Sequence, residues 1–496
     1  MKLVKVHSLT LFLFMGFLLP ALSSCQPAAK NPQTVDQLPD IYPDYIGVTI
    51  PRDIAPLNFS MAADSCDAVD VVIRGSKGGE IRAQGSYADF DINLWHELTR
   101  QNSGGEITVS VSARSGGQWT RYKDFPIYVS EEALDDYGLT YRRLPPGYEV
   151  GGNLGIYQRD IHSFREDPII TVASVPGKCV NCHTANATNP QMFTFQARGE
   201  NGATLLYKDG KQHWMDTSTP ETRGSGSYAY WHPSGDYVAY SVSAVYQSFF
   251  TGTYKPIEVY HTFSNIVVLD TRSHELVLSP VLQSTGSLEI FPAFSPDGKQ
   301  LFFSTSAACW VPDEYEKVKC SIVSAPFDAS TGRVSGDVDT LLNGPLADKS
   351  YVLARPSYDG KWLLFVRCGR SNFPIAQRDA DLWIMDLNTR QTWSLDNANS
   401  PDTESSPNWS SNSRWIVFAS KRDDGMYTRL YIAAIDRQGR AAKPFLLPQR
   451  NPKKYYGELF DAYNVPDFTS APVDFDIRQA QRSLLSTRRE KASIRR

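Results

Sequence analysis

The sequence predicts an all-β chain, a small N-terminal β-sandwich followed by a β-propeller of five or six blades. Three observations carry that expectation. The composition is turn-rich and aromatic, with 12% Phe, Trp and Tyr, 33 Gly and 31 Pro among 496 residues, which suits many short strands joined by tight turns. Apolar and polar residues alternate with period two in DAVDVVIRG, GEITVSVSA and FPIYVS, the pattern of half-buried strands. A longer repeat follows. YWHPSGDYVAYS, PAFSPDGKQLFFS, RPSYDGKWLLFV and PNWSSNSRWIVFAS share an aromatic or Pro lead-in, a tight turn and an alternating strand. Their turn residues Gly235, Gly298, Gly360 and Ser413 recur at intervals of 63, 62 and 53. Each unit continues into a second strand pair such as NIVVLDTRSHELVLS. Two hairpins per period make a four-stranded blade, and blades close into a ring because one blade cannot bury both of its faces.

The elements follow in order. Residues 1–24 have the form of a signal peptide: Lys2 and Lys5, an apolar run from Leu9 to Leu19 too short to span a bilayer, then small residues. Leu22-Ser23-Ser24-Cys25 matches a bacterial lipobox, so Cys25 is the expected lipidation site and the membrane a partner through its acyl chains. Residues 25–42 are a Pro-, Ala-, Asn- and Gln-rich tether. No acidic run follows Cys25, which favours a periplasm-facing protein in the cell envelope, surface exposure being the alternative. Residues 43–130 form the sandwich-like domain, with Trp95 and Trp119 as core or cross-strand residues. Residues 131–192 read as a connector, 193–450 as the propeller, with 193–217 a divergent blade, and 451–496 as a C-terminal extension. Between Arg478 and Arg496 stand seven Lys or Arg and one acid, Glu490, expected to be a solvated tail. A net charge of −4 gives no drive toward nucleic acid.

The chemistry is concentrated in Cys179-Val180-Asn181-Cys182-His183. In a CxxCH pentad two thiols add to the haem vinyl groups and the adjacent imidazole reaches the iron. With seven Cys and eight His, such a pentad arises by accident on the order of once per thousand chains of this size. Two other chemistries compete. A redox disulfide lacks the βαβ setting of thioredoxin-like motifs, and a zinc site lacks a second ligand pair nearby. One covalent haem c is therefore the expected cofactor. Met192 is the first choice for the sixth iron ligand, with Phe193 and Phe195 to cover a porphyrin; His162, His213, His232 and His261 are rivals, and five-coordinate iron is a further alternative.

Cysteine arithmetic agrees. Removing Cys25, Cys179 and Cys182 from seven leaves Cys66, Cys309, Cys320 and Cys368, an even number. Cys309 and Cys320 are close enough in sequence to staple one loop, although spacing alone sets no disulfide.

The SPDG-type turns resemble TolB-like propeller repeats. TIPRDIAPLNF, YRRLPPGYEVGGNLGIYQRDIHSF, CVNCHTANATNPQMFTFQARG, PDTESSPNWSSNSRWIVFASKRDDGMYTRLYIAAID and KPFLLPQ together resemble a Bacteroidetes lipoprotein family, often labelled TolB-like or cytochrome c biosynthesis proteins. The resemblance implies a propeller carrying a CxxCH site, without an established biochemical role. Its members often have histidine where this chain has Gln196, which leaves Met192 as the expected ligand.

Enzyme signals are sparse. There is no GxSxG, HExxH or phosphate loop. Asp297, Asp359, Asp402 and Glu404 sit at blade turns, where capping explains them, with polar lining of a propeller face as the alternative for Asp402 and Glu404. The reading is a periplasm-facing, lipid-anchored, mono-haem c-type cytochrome-like propeller that transfers electrons, or senses redox state or a small ligand, with a protein partner. The alternative is a non-haem glycan- or protein-binding propeller lipoprotein.

Overall fold

The computed structural model describes residues 28–145, 154–250 and 257–495. The signal segment, the lipobox with Cys25, and residues 146–153 of the YRRLPPGYEV stretch lie outside the described residues. None of the described helices is long and apolar enough to cross a membrane.

Six blades form the propeller. Blade 1 joins Gly138–Leu144, Gly155–Asp160 and Glu166–Thr171 to Ala462–Thr469, which supplies the innermost strand from the far end of the chain. Blade 2 is Cys179–Asn186, Asn189–Arg198, Ala203–Lys208 and Lys211–Asp216. Blade 3 is Ser227–Trp231, Tyr237–Phe249, Ile257–Asp270 and Glu275–Val277. Blades 4, 5 and 6 begin at the innermost strands Ser287–Phe294, Ser350–Pro356 and Glu404–Trp409. All blade ladders among these strands are antiparallel, and the cores between successive sheets are apolar clusters such as Val180, Phe193 and Phe195 against Ile156 and Ile170.

Residues 131–192 are therefore not a connector. They supply three of the four strands of blade 1 and the innermost strand of blade 2, so the propeller starts well before residue 193 and closes beyond residue 450. The missed partner explains the error. The strand Gly138–Leu144 buries its edge against a segment some 320 residues later, and local periodicity reports a buried face without naming what buries it.

The N-terminal domain rests on one seven-stranded sheet, built chiefly on Cys66–Gly75, Glu80–Gly85, Glu106–Ser115 and Phe125–Val129. Its second layer departs from a sandwich. A helix, Ile92–Gln101, packs on the sheet, capped by Asp91, whose Oδ1 accepts from the backbone N–H of Asn93 (2.9 Å) and Leu94 (3.0 Å). Trp95 is in the core as expected but belongs to this helix, and its Nε1 donates to the Ile54 carbonyl (3.0 Å). The domain's apolar core runs on without a break into blades 5 and 6.

The basic C-terminal segment is ordered against the propeller rim rather than solvated. After the helix Ile477–Leu485, Glu490–Lys491 adds in parallel to the outer edge of blade 2 and Ser493–Arg495 to that of blade 3. Arg495 pairs with Asp270 (2.8 Å) and Glu275 (2.6 Å), and the added strands cover edges that would otherwise present unpaired backbone groups.

One irregularity repeats six times. Each innermost strand carries a β-bulge with a single non-glycine residue in the left-handed region: Cys182 (φ 56°), Tyr228 (48°), Phe291 (57°), Leu353 (57°), Ser406 (51°) and Val465 (50°). Phe291 and Val465 are poor residues for that conformation, so the bulge is imposed by the blade geometry.

Candidate functional site

The CxxCH pentad lies on the innermost strand of blade 2, with Cys182 at the bulge that all six blades share. Its left-handed backbone is thus a property of the fold and not a distortion made for a ligand. The bulge turns the residues on either side of it toward different neighbours. Cys179 is held on the blade 1 side, where its Sγ accepts from Arg142 Nη2 (3.4 Å) and from Asn181 Nδ2 (3.7 Å). Cys182 and Cys179 are half-buried, separate thiols.

His183 is 2% exposed and packs on Phe193, ring centroids 6.0 Å apart. No hydrogen bond of ordinary geometry reaches either ring nitrogen. Burial, opposed by the Thr140 backbone and aided by the Arg142 charge, lowers its pKa to about 4, so the imidazole is neutral at ordinary pH. Around it gather residues that the sequence did not mark. Tyr228 of blade 3 is partly buried beside Cys182, Arg198 and Arg142; desolvation first, then Cys182, raises its pKa, the two arginines opposing. His261, from the long second hairpin of blade 3, lies 6.1 Å from the Tyr228 ring, and its Nδ1 meets Asn372 Oδ1 (3.1 Å). Burial lowers the pKa of His261 to about 4 as well, the Asn372 contact opposing and Arg198 assisting.

Buried polar atoms without hydrogen bonds are uncommon in folded proteins, and several of those among the described residues lie here. Both nitrogens of His183, Asn181 Oδ1, Arg142 Nε and His261 Nε2 are all such atoms. Two thiols, two neutral imidazoles and two guanidinium groups make a donor set suited to haem c: thiols that could form thioethers, an imidazole nitrogen that could bind iron and cations that could pair with propionates. The residues present fit that group in chemistry. In space, the imidazole is enclosed, so a porphyrin on His183 requires the strand and Phe193 to give way.

The other expected ligands disperse. Met192 sits toward the far end of the same hairpin, where its Sδ accepts from Asn186 Nδ2 (3.3 Å) and packs against the blade 3 side. His162 and His232 have both nitrogens engaged, with the Asp53 and Asp136 carbonyls (2.8 and 3.2 Å) and with Ser234 Oγ and the Gly298 carbonyl (2.8 and 3.1 Å). His213 lies on the outer rim with Glu490. Gln196, cross-strand from Asn181, accepts from Arg198 Nε (2.8 Å). Of the rivals, only His261 is brought to the surroundings of the pentad, and no periodicity in the sequence signals that approach.

Asp402 and Glu404 are held by their neighbours: Asp402 pairs with Arg378 (3.4 Å) and accepts from the Thr403 N–H (2.8 Å). Glu404 is fully buried, pairs with Arg422 (3.0 Å) and accepts from Ser400 Oγ (2.6 Å) and Ser420 Oγ (2.8 Å). Asp297 and Asp359 cap their turns, each accepting from the Ser hydroxyl two residues back (2.6 Å in both). Cys309 and Cys320, close enough in sequence to staple one loop, are separate thiols, as are Cys66 and Cys368.

Fold and site together define a class: a six-bladed propeller bearing two thiols and a buried neutral imidazole on one innermost strand. No protein-family model and no curated protein matches the chain. Among solved structures it is similar to an oligogalacturonate lyase in complex with manganese (12% identity, TM-score 0.36, covering 63% of this chain and 74% of that one). It is also similar to the hydrazine synthase of Kuenenia stuttgartiensis (12%, 0.42, 69% and 50%) and to prolyl oligopeptidase B from Galerina marginata (9%, 0.35, 63% and 44%). The chain spans half or less of the length of the last two. Likeness at this level is one of general shape and transfers no activity.

Proposed function

We propose that the chain is a mono-haem c-type cytochrome-like propeller protein, lipid-anchored through Cys25 and facing the periplasm, that exchanges electrons or senses redox state or a small ligand with a protein partner. The supporting observation is the cluster of buried, unbonded polar atoms centred on neutral His183 beside two thiols. In this reading Cys179 and Cys182 would hold the haem through thioether bonds, His183 would bind its iron, and Arg142 and Arg198 would neutralise its carboxylates. A haem held there would supply a one-electron iron centre. The surrounding residues hold the imidazole in its neutral form and exclude water. For Met192 to be the sixth ligand it must leave Asn186; His261, with Nε2 free, is its rival.

A second reading, a non-haem glycan- or protein-binding propeller, is favoured by the enclosure of His183 at 2% exposure. One experiment separates them. The full chain is expressed in a host with c-type maturation, and the pyridine haemochrome spectrum and haem staining on a denaturing gel are recorded. Covalent haem in the wild type and none in C179A/C182A is expected. A colourless wild type, or haem retained by the double variant, overturns the attachment. An unchanged reduced spectrum in M192L removes Met192 as ligand, and in H261Q removes His261.

A further inference from the structure

We infer a second site, independent of the haem reading: a divalent zinc site at His213, His274 and Glu490 that staples the C-terminal segment to the rim between blades 2 and 3. The three side chains come from three elements. His213 lies on the outer strand Lys211–Asp216 of blade 2, and His274 in the turn before Glu275–Val277 of blade 3. Glu490 lies on the added strand that pairs with blade 2, with Met215 opposite it. The one carboxylate faces both imidazoles: Glu490 Oε1 is 3.1 Å from His213 Nδ1, and Oε2 is 3.2 Å from His274 Nδ1. The two rings meet edge to face with centroids 4.7 Å apart, and the ligand atoms all lie within 4.8 Å of one another.

Those separations suit zinc. With bonds of about 2.0–2.1 Å to nitrogen and oxygen, neighbouring ligands of tetrahedral zinc stand about 3.3 Å apart, close to both Nδ1···O distances here. Two imidazoles and a carboxylate also form the donor set of open zinc sites, in which water takes the fourth position, and the partial exposure of all three side chains leaves that position to solvent. The backbone holds the ligands in place. His274 is fixed in the left-handed region at φ 60° with its N–H on the Asp270 carbonyl (2.9 Å), and the Ala492 N–H donates to the Asp216 carbonyl (3.0 Å) just beyond Glu490. Bound zinc would cross-link two blades and the terminal segment at the one point where that segment passes from one blade to the next.

The test uses the full chain freed of metal by a chelator and titrated with zinc chloride, in the wild type, C179A/C182A, H274A and E490Q. Trypsin cleavage after Arg488, Arg489 and Lys491 is followed with and without zinc. One zinc bound by the wild type and by C179A/C182A, lost in H274A and E490Q, with zinc slowing cleavage only in the first two, is expected. No binding by the wild type, binding abolished in C179A/C182A, or binding retained in both rim variants overturns the site. E490Q is isosteric and H274A sits at the surface, and a circular dichroism spectrum matching the wild type shows that each variant is folded.

Discussion

A histidine buried away from any counter-charge is held neutral, and that has a consequence for stability. His261 has its pKa lowered from 6.5 to about 4 in the folded chain by burial, against the Asn372 contact and with the help of Arg198. The unfolded chain therefore takes up this proton first as pH falls. The associated stability is complete above pH 6.5, declines between 6.5 and 4 and is spent below, and amounts at most to on the order of 3 kcal/mol. H261Q is expected to flatten that acid limb, measured as urea midpoints at pH 7.5 and pH 4.5. An identical pH dependence in the variant would show that His261 is solvated in the folded state. Of the residues around this site, Cys179, Cys182 and His183 were legible because their spacing is itself the chemistry. Arg142, Arg198 and Tyr228 were not, because an arginine or tyrosine on an alternating strand looks like any other polar or aromatic strand residue until its neighbours are known.

The turn and the bulge are the repeating devices among the elements. The turn requires a left-handed residue, met by Gly235, Gly298 and Gly360 and, in blade 6, by Ser413 (φ 59°). Equivalent glycines differ in what surrounds them. A Cβ at Gly360 meets nothing within 4 Å, whereas one at Gly298 would stand 2.3 Å from His232 Nε2, whose hydrogen bond also ends on the Gly298 carbonyl. G360A is expected to cost about 1 kcal/mol, the backbone strain alone, and G298A roughly 1–3 kcal/mol more through the clash. Denaturant midpoints of the two variants check this; equal losses would show that His232 moves aside freely. The turn was readable from the sequence through Gly and the Ser-x-Asp cap. The bulge was not, since Cys182, Phe291 and Val465 have no residue type in common and the conformation is enforced by strands packing round a shared axis.

Closure of the whole ring depends on Ala462–Thr469. This strand hydrogen-bonds to Gly138–Leu144, buries Tyr463 and Phe468, and places Asp467 to accept from the Ala185 N–H (3.0 Å) and Thr184 Oγ1 (3.1 Å) on the strand that bears the pentad. A chain ending at Ser486 keeps this strand and loses only the two short rim strands; one ending at Asp461 leaves blade 1 without its inner strand. The longer chain is expected to retain the wild-type near-ultraviolet circular dichroism and a compact elution volume, and the shorter to lose both. A compact, native-like shorter chain would show that the ring is stable open.

By itself the sequence determined the all-β class, the blade period, the turn positions and the pentad, because each is written in residues a few places apart. Only the tertiary structure decided that there are six blades, that the presumed connector is one of them, that the basic segment lies along the rim, and that Tyr228, His261 and two arginines surround the pentad. The physical reason is the same throughout. Alternation and turn chemistry say that a strand has a face to bury, whereas the partner that buries it is selected by ring closure between segments as far apart as residues 140 and 467.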